Sequence, residues 1–353
     1  MRQAFPESLR IGIVGSGISG LTAAYLLSKR YEVTLFEAAG RLGGHTYTVP
    51  VETERGSARV DMGFLVFNER NYPHFVRLLQ ALGVDSQPSE MSFSVRSERS
   101  GVEYRSTSLD TLFAQRQNVL SPSFHRLLYD IVRFNRKSRE LLDSGESGGP
   151  ALEDYVRAGR FSPRFWEEYL VPMGSAIWSA APENMRRFPA SYLVRFFATH
   201  GFLDSNGGLP WRTIRGGSDR YLHRIVAPFA DRIRLRTPVR GIRRHPDRVD
   251  VQTDEGTFAF DHVVVAAHSD QALAMLKDPT PLEKEILSRI PYQANDAALH
   301  TDKSLLPRNR RAWASWNYVV PRANGERAHV TYYSNRLQSL ESPTDFCVTL
   351  NQT

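Results

Sequence analysis

The sequence predicts an α/β fold in which an opening βαβ unit is interrupted by a long insertion of helices and strands before similar text resumes. Three observations predict it. Residues 11–46, IGIVGSGISGLTAAYLLSKRYEVTLFEAAGRLGGHT, read as a strand over 10–15, a helix over 18–30 and a strand over 32–37. Apolar runs there are broken by a glycine turn and then take helical spacing. Residues 109–142 and 151–200 turn helical and aromatic. From 216 the earlier pattern returns, with GGS opening a helix over DRYLHRIVAPFA and FAFDHVVVAAHSD carrying another buried strand. One Rossmann-like domain interrupted in sequence explains this order better than two domains in series.

The remaining elements follow from local pattern. After RLGGHT come two short extended pieces, 47–53 and 57–60. A helix begins at Tyr72, where Phe75, Leu78, Leu79 and Leu82 fall at i, i+3, i+4 and i+7 and so share one face. Residues 86–105 alternate as strands of another sheet, and DSGESGGP at 143–150 reads as a loop because its residues favour turns. Strands are expected around Val239 and over 249–253, then again from Ile290 to Leu350.

Composition sets the class. The chain has 353 residues, 41% hydrophobic and 24% charged, which is ordinary for a globular protein able to bury a core. A single cysteine, Cys347, excludes an internal disulfide and suits a reducing compartment. The first residues, MRQAFPE, lack the apolar core of a signal peptide, so a cytoplasmic location is expected. The net charge of +7 raises the question of polyanions, and seven arginines lie between Arg232 and Arg248. Arg232, Arg234 and Arg236 alternate with Ile233 and Leu235, the pattern of a half-buried strand with a solvated basic face. No basic helix or aromatic stacking motif accompanies them, so no nucleic acid is expected. Peripheral contact with an anionic membrane surface stays open.

Gly15, Gly17 and Gly20 form G-x-G-x-x-G between strand and helix. The first allows a tight turn, the second lets backbone approach a pyrophosphate, and the third lets helix pack on strand. Phosphates then lie on the free N–H groups and positive dipole of the helix N-terminus. Glu37 ends the second strand, 20 residues after Gly17, where an acid accepts hydrogen bonds from the adenosine ribose. That acid disfavours the 2′-phosphate of NADP and leaves NAD and FAD. Arg41, Gly43, Gly44, His45 and Thr46 follow closely. Such a segment can fold over the pyrophosphate from its other side, which suits a long, enclosed dinucleotide.

The residues GSGISG, Glu37 and GRLGGHT resemble the flavin-containing amine oxidase and phytoene desaturase superfamily. Within it the chain is most similar to bacterial FAD-dependent oxidoreductases that resemble the N-terminal oxidase-like region of plant cyclopropane fatty acid synthases. VDMGFLVFNERNYP, YLVPMGSAIWS, LPWRTIRGGSDRY, VVVAAHSDQAL and LHTDKSLLP carry that narrower likeness, which spans nearly the whole chain. The resemblance implies an FAD-binding domain of the GR2 type over 1–85 and 216–289, with a substrate domain over 86–215 and 290–353. It implies that Gly15, Ser16, Gly17, Ile18 and Ser19 contact the pyrophosphate and Glu37 the ribose. Arg41, Gly43, Gly44, His45 and Thr46 would lie along the phosphates and flavin. Met62, Gly63 and Phe64 would approach the isoalloxazine, and Val239 would bind the adenine edge through its backbone.

Two departures accompany the likeness. The superfamily's C-terminal glycine-rich segment, which caps FAD, has no match after Ile290, so that segment is expected to be missing. Where amine oxidases place a lysine beside the flavin, this chain has Asn295, Asp296 and Ala297, which counts against amine oxidation. His268 ends an apolar run and either faces the cofactor or caps the next helix; capping is the preferred reading. Phe165, Trp166, Tyr169, Trp178, Phe188, Tyr192, Phe196 and Phe197 are expected mainly as core, with a fraction lining an apolar substrate tunnel. No spacing suits a metal site, no G-x-S-x-G suggests hydrolysis, and no catalytic side chain stands out. The expected function is an FAD-dependent oxidoreductase that takes a hydride from a small-molecule C–H bond, with a lipid-like substrate favoured. The rivals are a non-catalytic dinucleotide-binding or degenerate partner of a lipid-modifying enzyme, and an amine oxidase.

Overall fold

The structure is a computed structural model that describes residues 9–54, 56–143, 149–203, 208–322 and 328–352. The N-terminal stretch read for a signal and most of the 143–150 loop lie outside them. The first strand, β1 (Arg10–Val14), leads into the helix α1 (Ile18–Leu27) and the second strand, β2 (Glu32–Phe36). β1 runs parallel to β2 on one side and to His262–Val265 on the other, and β2 also pairs with Ile233–Arg234. A βαβ unit is thus completed by strands from roughly 200 residues or more further along the chain. Ile13, Leu21, Val33 and Leu35 are fully buried between α1 and the sheet. α1 stops at Leu27, short of the sequence reading. Arg30 and Tyr31 both donate to Leu27 O, which turns the chain directly into β2.

A six-stranded sheet gathers the other interrupted text. Its order is Ala297–His300, Cys347–Leu350, His329–Tyr333, Trp316–Val320, Phe93–Ser97, Glu103–Arg105. All neighbours are antiparallel except Trp316–Val320 with Phe93–Ser97. One face carries a buried polar row: Ser94 Oγ donates to Asn317 Oδ1 at 2.8 Å, Thr331 bonds Thr349 at 2.8 Å, and His300 bonds Thr349 at 2.7 Å. Slipping any of these strands by one residue would leave such groups unpaired in a dry layer. Tyr318, Val330 and Tyr332, on the other face, belong to the large core under the helices Pro122–Asp143, Val171–Trp178 and Ala190–Thr199. Phe165, Tyr169 and Phe197 are buried there as core.

The expected basic strand is shorter than its alternation suggested. Only Ile233–Arg234 pairs as strand, because Arg236 takes φ +53° and ends the extended run ahead of Pro238. The cations are matched locally: Arg234 with Glu255, Arg240 with Asp254, Arg248 with Asp250, and Arg244 with Asp278 and Glu283. Arg244 holds Glu283 down to about 2. That tie is complete above the ordinary carboxylate range and weakens as pH falls toward 2. Matched charges largely cancel in the far field, so this stretch offers little attraction to a distant polyanion.

Asp61 joins the two sheets' surroundings. Its fully buried carboxylate accepts from Thr48 Oγ1 at 2.6 Å, Ser218 N at 2.8 Å, Ser218 Oγ at 2.9 Å and Gln338 Nε2 at 3.0 Å. Gln338 Oε1 in turn accepts from Asp61 N. Burial raises the Asp61 pKa despite these donors.

Candidate functional site

The glycine loop after β1 is built on three distinct constraints. Gly15 takes φ +99°, and a Cβ there would lie 2.4 Å from Ala266 O. A Cβ on Gly20 would lie 1.9 Å from Gly15 O, so glycine alone lets α1 start this close to β1. Gly17 differs. It is extended, with φ −66° and ψ 177°, and a Cβ would meet nothing within 4 Å. No side chain caps α1, and its first turn holds no acid. The N–H groups of Ile18 and Ser19 therefore have no helical carbonyl to bond, and the helix dipole adds positive potential beside open space. That cradle fits a pyrophosphate.

Glu37 stands at the end of β2. Its carboxylate accepts from Ser16 N at 2.9 Å, Ser16 Oγ at 2.6 Å and Ala39 N at 2.8 Å. Ser16 is buried, with N–H and hydroxyl both engaged by Glu37. Glu37 O accepts from Thr237 N at 2.9 Å, which brings Val239, two residues on, to the same edge. The acid is thus fixed in orientation with oxygen lone pairs to spare for a ribose.

Residues 41–46 fold back onto the glycine loop. Gly43 N donates to Ser16 O at 3.0 Å, and a Cβ on Gly44 would lie 3.1 Å from Gly17 Cα. Arg41 closes its own loop, donating to Gly44 O at 2.9 Å and Thr46 O at 3.3 Å and lying over Tyr47. Thr46 bonds the Tyr221 hydroxyl at 2.6 Å. Met62 N donates to Tyr47 O and Phe64 N to His45 O, so Met62, Gly63 and Phe64 run alongside this segment. A Cβ on Gly63 would lie 1.9 Å from His45 O. Gly63→Ala is accordingly expected to cost about 2 kcal/mol by overpacking, read as a lower urea midpoint with unchanged slope.

His268 does occupy the position before the helix Ser269–Met275, but its side chain makes no cap hydrogen bond. Its ring instead stacks on Tyr292 at 4.2 Å and lies 6.1 Å from the His45 ring. The backbone N–H of Ser269 is satisfied by the Tyr292 hydroxyl at 2.9 Å and that of Gln271 by the Asp270 carboxylate at 2.8 Å, so the helix start finds its partners elsewhere.

Beyond Gly63 and Phe64 opens a cavity of about 380 Å³, lined also by Met173, Trp178, Phe196, His200, Phe202, Trp211, Trp316 and Tyr332 among others. Among the described residues no Asp, Glu, Lys or Arg lines it. Trp178 and Phe196 come from the aromatic set read in the sequence. Trp211, Trp316 and Tyr332 carried no local signal, because three separate strands bring them together. Among the described residues no group of three or more His, Cys, Asp or Glu is placed to hold a metal, and no helix is long and apolar enough to cross a membrane.

A parallel sheet with an open glycine cradle, an oriented acid at the next strand end and an adjoining apolar cavity defines a dinucleotide-dependent enzyme. Residues 18–312 match the model of the flavin containing amine oxidoreductases. The chain belongs to that family, is an oxidoreductase and uses FAD. A Mycobacterium tuberculosis protein named as a flavin-containing monoamine oxidase, AofH, is 26% identical over 360 residues, covering 96% of this chain and 70% of that one. A carotenoid phi-ring synthase of Streptomyces griseus is 29% identical over 73% of this chain and 52% of its own length. Among solved structures, a fatty acid isomerase from P. acnes that produces CLA superposes with a TM-score of 0.67 at 17% identity. It covers 98% of this chain and 77% of that one, a likeness of fold.

Proposed function

We propose that this oxidoreductase oxidises an uncharged, apolar, lipid-like small molecule held in the aromatic cavity. The observation that carries the reading is the lining of that cavity: mostly aromatic and aliphatic side chains, with no carboxylate among the described residues to meet an ammonium group. Removing apolar surface from water there contributes roughly 25 cal/mol per Å². A charged amine would instead lose hydration with no counter-ion. The family resemblance implies a lysine beside the flavin where this chain has the exposed Asn295 and Asp296, which points the same way.

In this reading the N–H groups of Ile18 and Ser19 hold the FAD pyrophosphate, and the absence of a side chain on Gly17 makes room for it. Ser16 acts indirectly by fixing Glu37 for the ribose, and Val239 borders the adenine. Gly43, Gly44, His45 and Thr46 close over the phosphates, with Arg41 keeping that segment folded. Met62, Gly63 and Phe64 form the backbone wall between cofactor and cavity. FAD, when bound, supplies the hydride acceptor. The chain's residues 1–85 and 216–289 serve the cofactor, and 86–215 and 290–353 serve the substrate.

The test is anaerobic reduction of the FAD-loaded protein, followed by loss of flavin absorbance. Fatty acyl, isoprenoid and phospholipid compounds are compared with a panel of primary amines. Bleaching by a member of the apolar panel is the expected result. Rapid bleaching by an amine with none from any apolar compound would overturn the proposal.

A further inference from the structure

We infer that the aromatic cavity recognises its ligand through a hydroxyl group, which donates a hydrogen bond to Nε2 of His200. This rests on the cavity being the substrate site, and narrows the ligand to an apolar alcohol. His200 follows the helix Ala190–Thr199. Its ring lies flat on Phe196 at 3.7 Å and is also stacked toward Phe202 and Trp211 at 6.4 and 6.1 Å. Nδ1 is 2.9 Å from Phe196 O. A carbonyl oxygen only accepts, so the proton is on Nδ1. Burial and the nearby Arg70 cation lower the pKa of the imidazole, which favours the neutral ring. A neutral ring with its proton on Nδ1 presents Nε2 as an acceptor. Among the described residues nothing donates to that nitrogen.

A second polar group lies in the same wall. Trp316 Nε1 is buried without a partner among the described residues, and Trp316 lines the same cavity. An indole N–H only donates. Tyr72 and Ser92 also line the cavity, so its walls are apolar with a few polar groups among them, and a hydroxyl can donate to the unpaired imidazole acceptor. An ammonium ion could also donate to Nε2. It would do so with no carboxylate lining the cavity among the described residues and with Arg70 nearby, an arrangement that opposes positive charge. A hydrocarbon would leave the His200 Nε2 unpaired.

The experiment is calorimetric titration of the FAD-loaded protein with 1-decanol, with its methyl ether and with decylamine, using wild type and His200→Phe. Phenylalanine keeps the flat stack on Phe196 and removes the acceptor. Wild type is expected to bind decanol about 3- to 10-fold tighter than the ether, with decylamine weakest. His200→Phe should bring decanol down to the level of the ether while leaving the ether unchanged. Equal binding of decanol and ether by wild type, or a preference that survives in His200→Phe, would overturn the inference and leave the apolar-substrate reading intact. Failure of decanol and ether alike to bind would contradict that reading and this one with it.

Discussion

Gly17→Asp is expected to yield a folded protein that purifies without flavin. The backbone at Gly17 is extended and open to any residue, and a Cβ there meets nothing within 4 Å. The substitution should therefore leave the melting temperature of the cofactor-free chain within a degree or two of wild type. The same space is where a pyrophosphate would reach the N–H groups of α1. A carboxylate in it excludes the phosphates by volume and opposes them by charge, so affinity should fall by at least about 100-fold. The flavin-to-protein absorbance ratio and circular dichroism together check this. Stoichiometric flavin in the mutant would place the phosphates elsewhere.

Asp61→Ala is expected to have the largest effect on stability. Four side-chain or backbone donors converge on this one fully buried carboxylate, and they come from Thr48, Ser218 and Gln338. Deleting the acceptor strands those donors in a dry site, at a cost of about 3 kcal/mol or more. Urea denaturation of wild type and mutant measures it. The substitution should also weaken FAD retention, since Asp61 directly precedes Met62, Gly63 and Phe64. A loss under 1 kcal/mol would show that water replaces the carboxylate and that the network is not what holds these segments together.

The parts of this molecule that were legible in its sequence are those whose cause is local. A strand, three spaced glycines, a helix and an acid constrain one another within 30 residues, and the structure brings them together with open space beside Gly17. The strap at 41–46 was legible for the same reason, because glycines and a cation follow the acid directly. The aromatic cavity was only half legible. Trp178 and Phe196 lie on helices whose aromatic richness was plain, but helical spacing cannot tell a core face from a cavity wall. Trp211 and Trp316 are brought to His200 by strand pairings, with Ser89 and Phe93 respectively, over which no short-range signal has any hold.

Asp61 shows the same limit. In the sequence it merely follows a short extended piece, while its partners Ser218 and Gln338 lie 157 and 277 residues away. Where the sequence misled, a local rule met a tertiary competitor. Alternating arginines suggested a longer strand than the left-handed Arg236 allows. His268 suggested a cap, but its ring stacks on Tyr292 instead and Asp270 serves the Gln271 N–H.

The central claim is that FAD lies along α1 with its redox-active ring against Gly63 and Phe64, open to the aromatic cavity. An experimental structure of the FAD-loaded protein tests it most directly. The account expects the pyrophosphate within hydrogen-bonding distance of the Ile18 and Ser19 N–H groups and a ribose hydroxyl on Glu37. It expects the isoalloxazine to form one wall of the space bounded by Trp178, Phe196 and Trp316. A flavin ring turned away from that space, or walled off from it by protein, would contradict the claim.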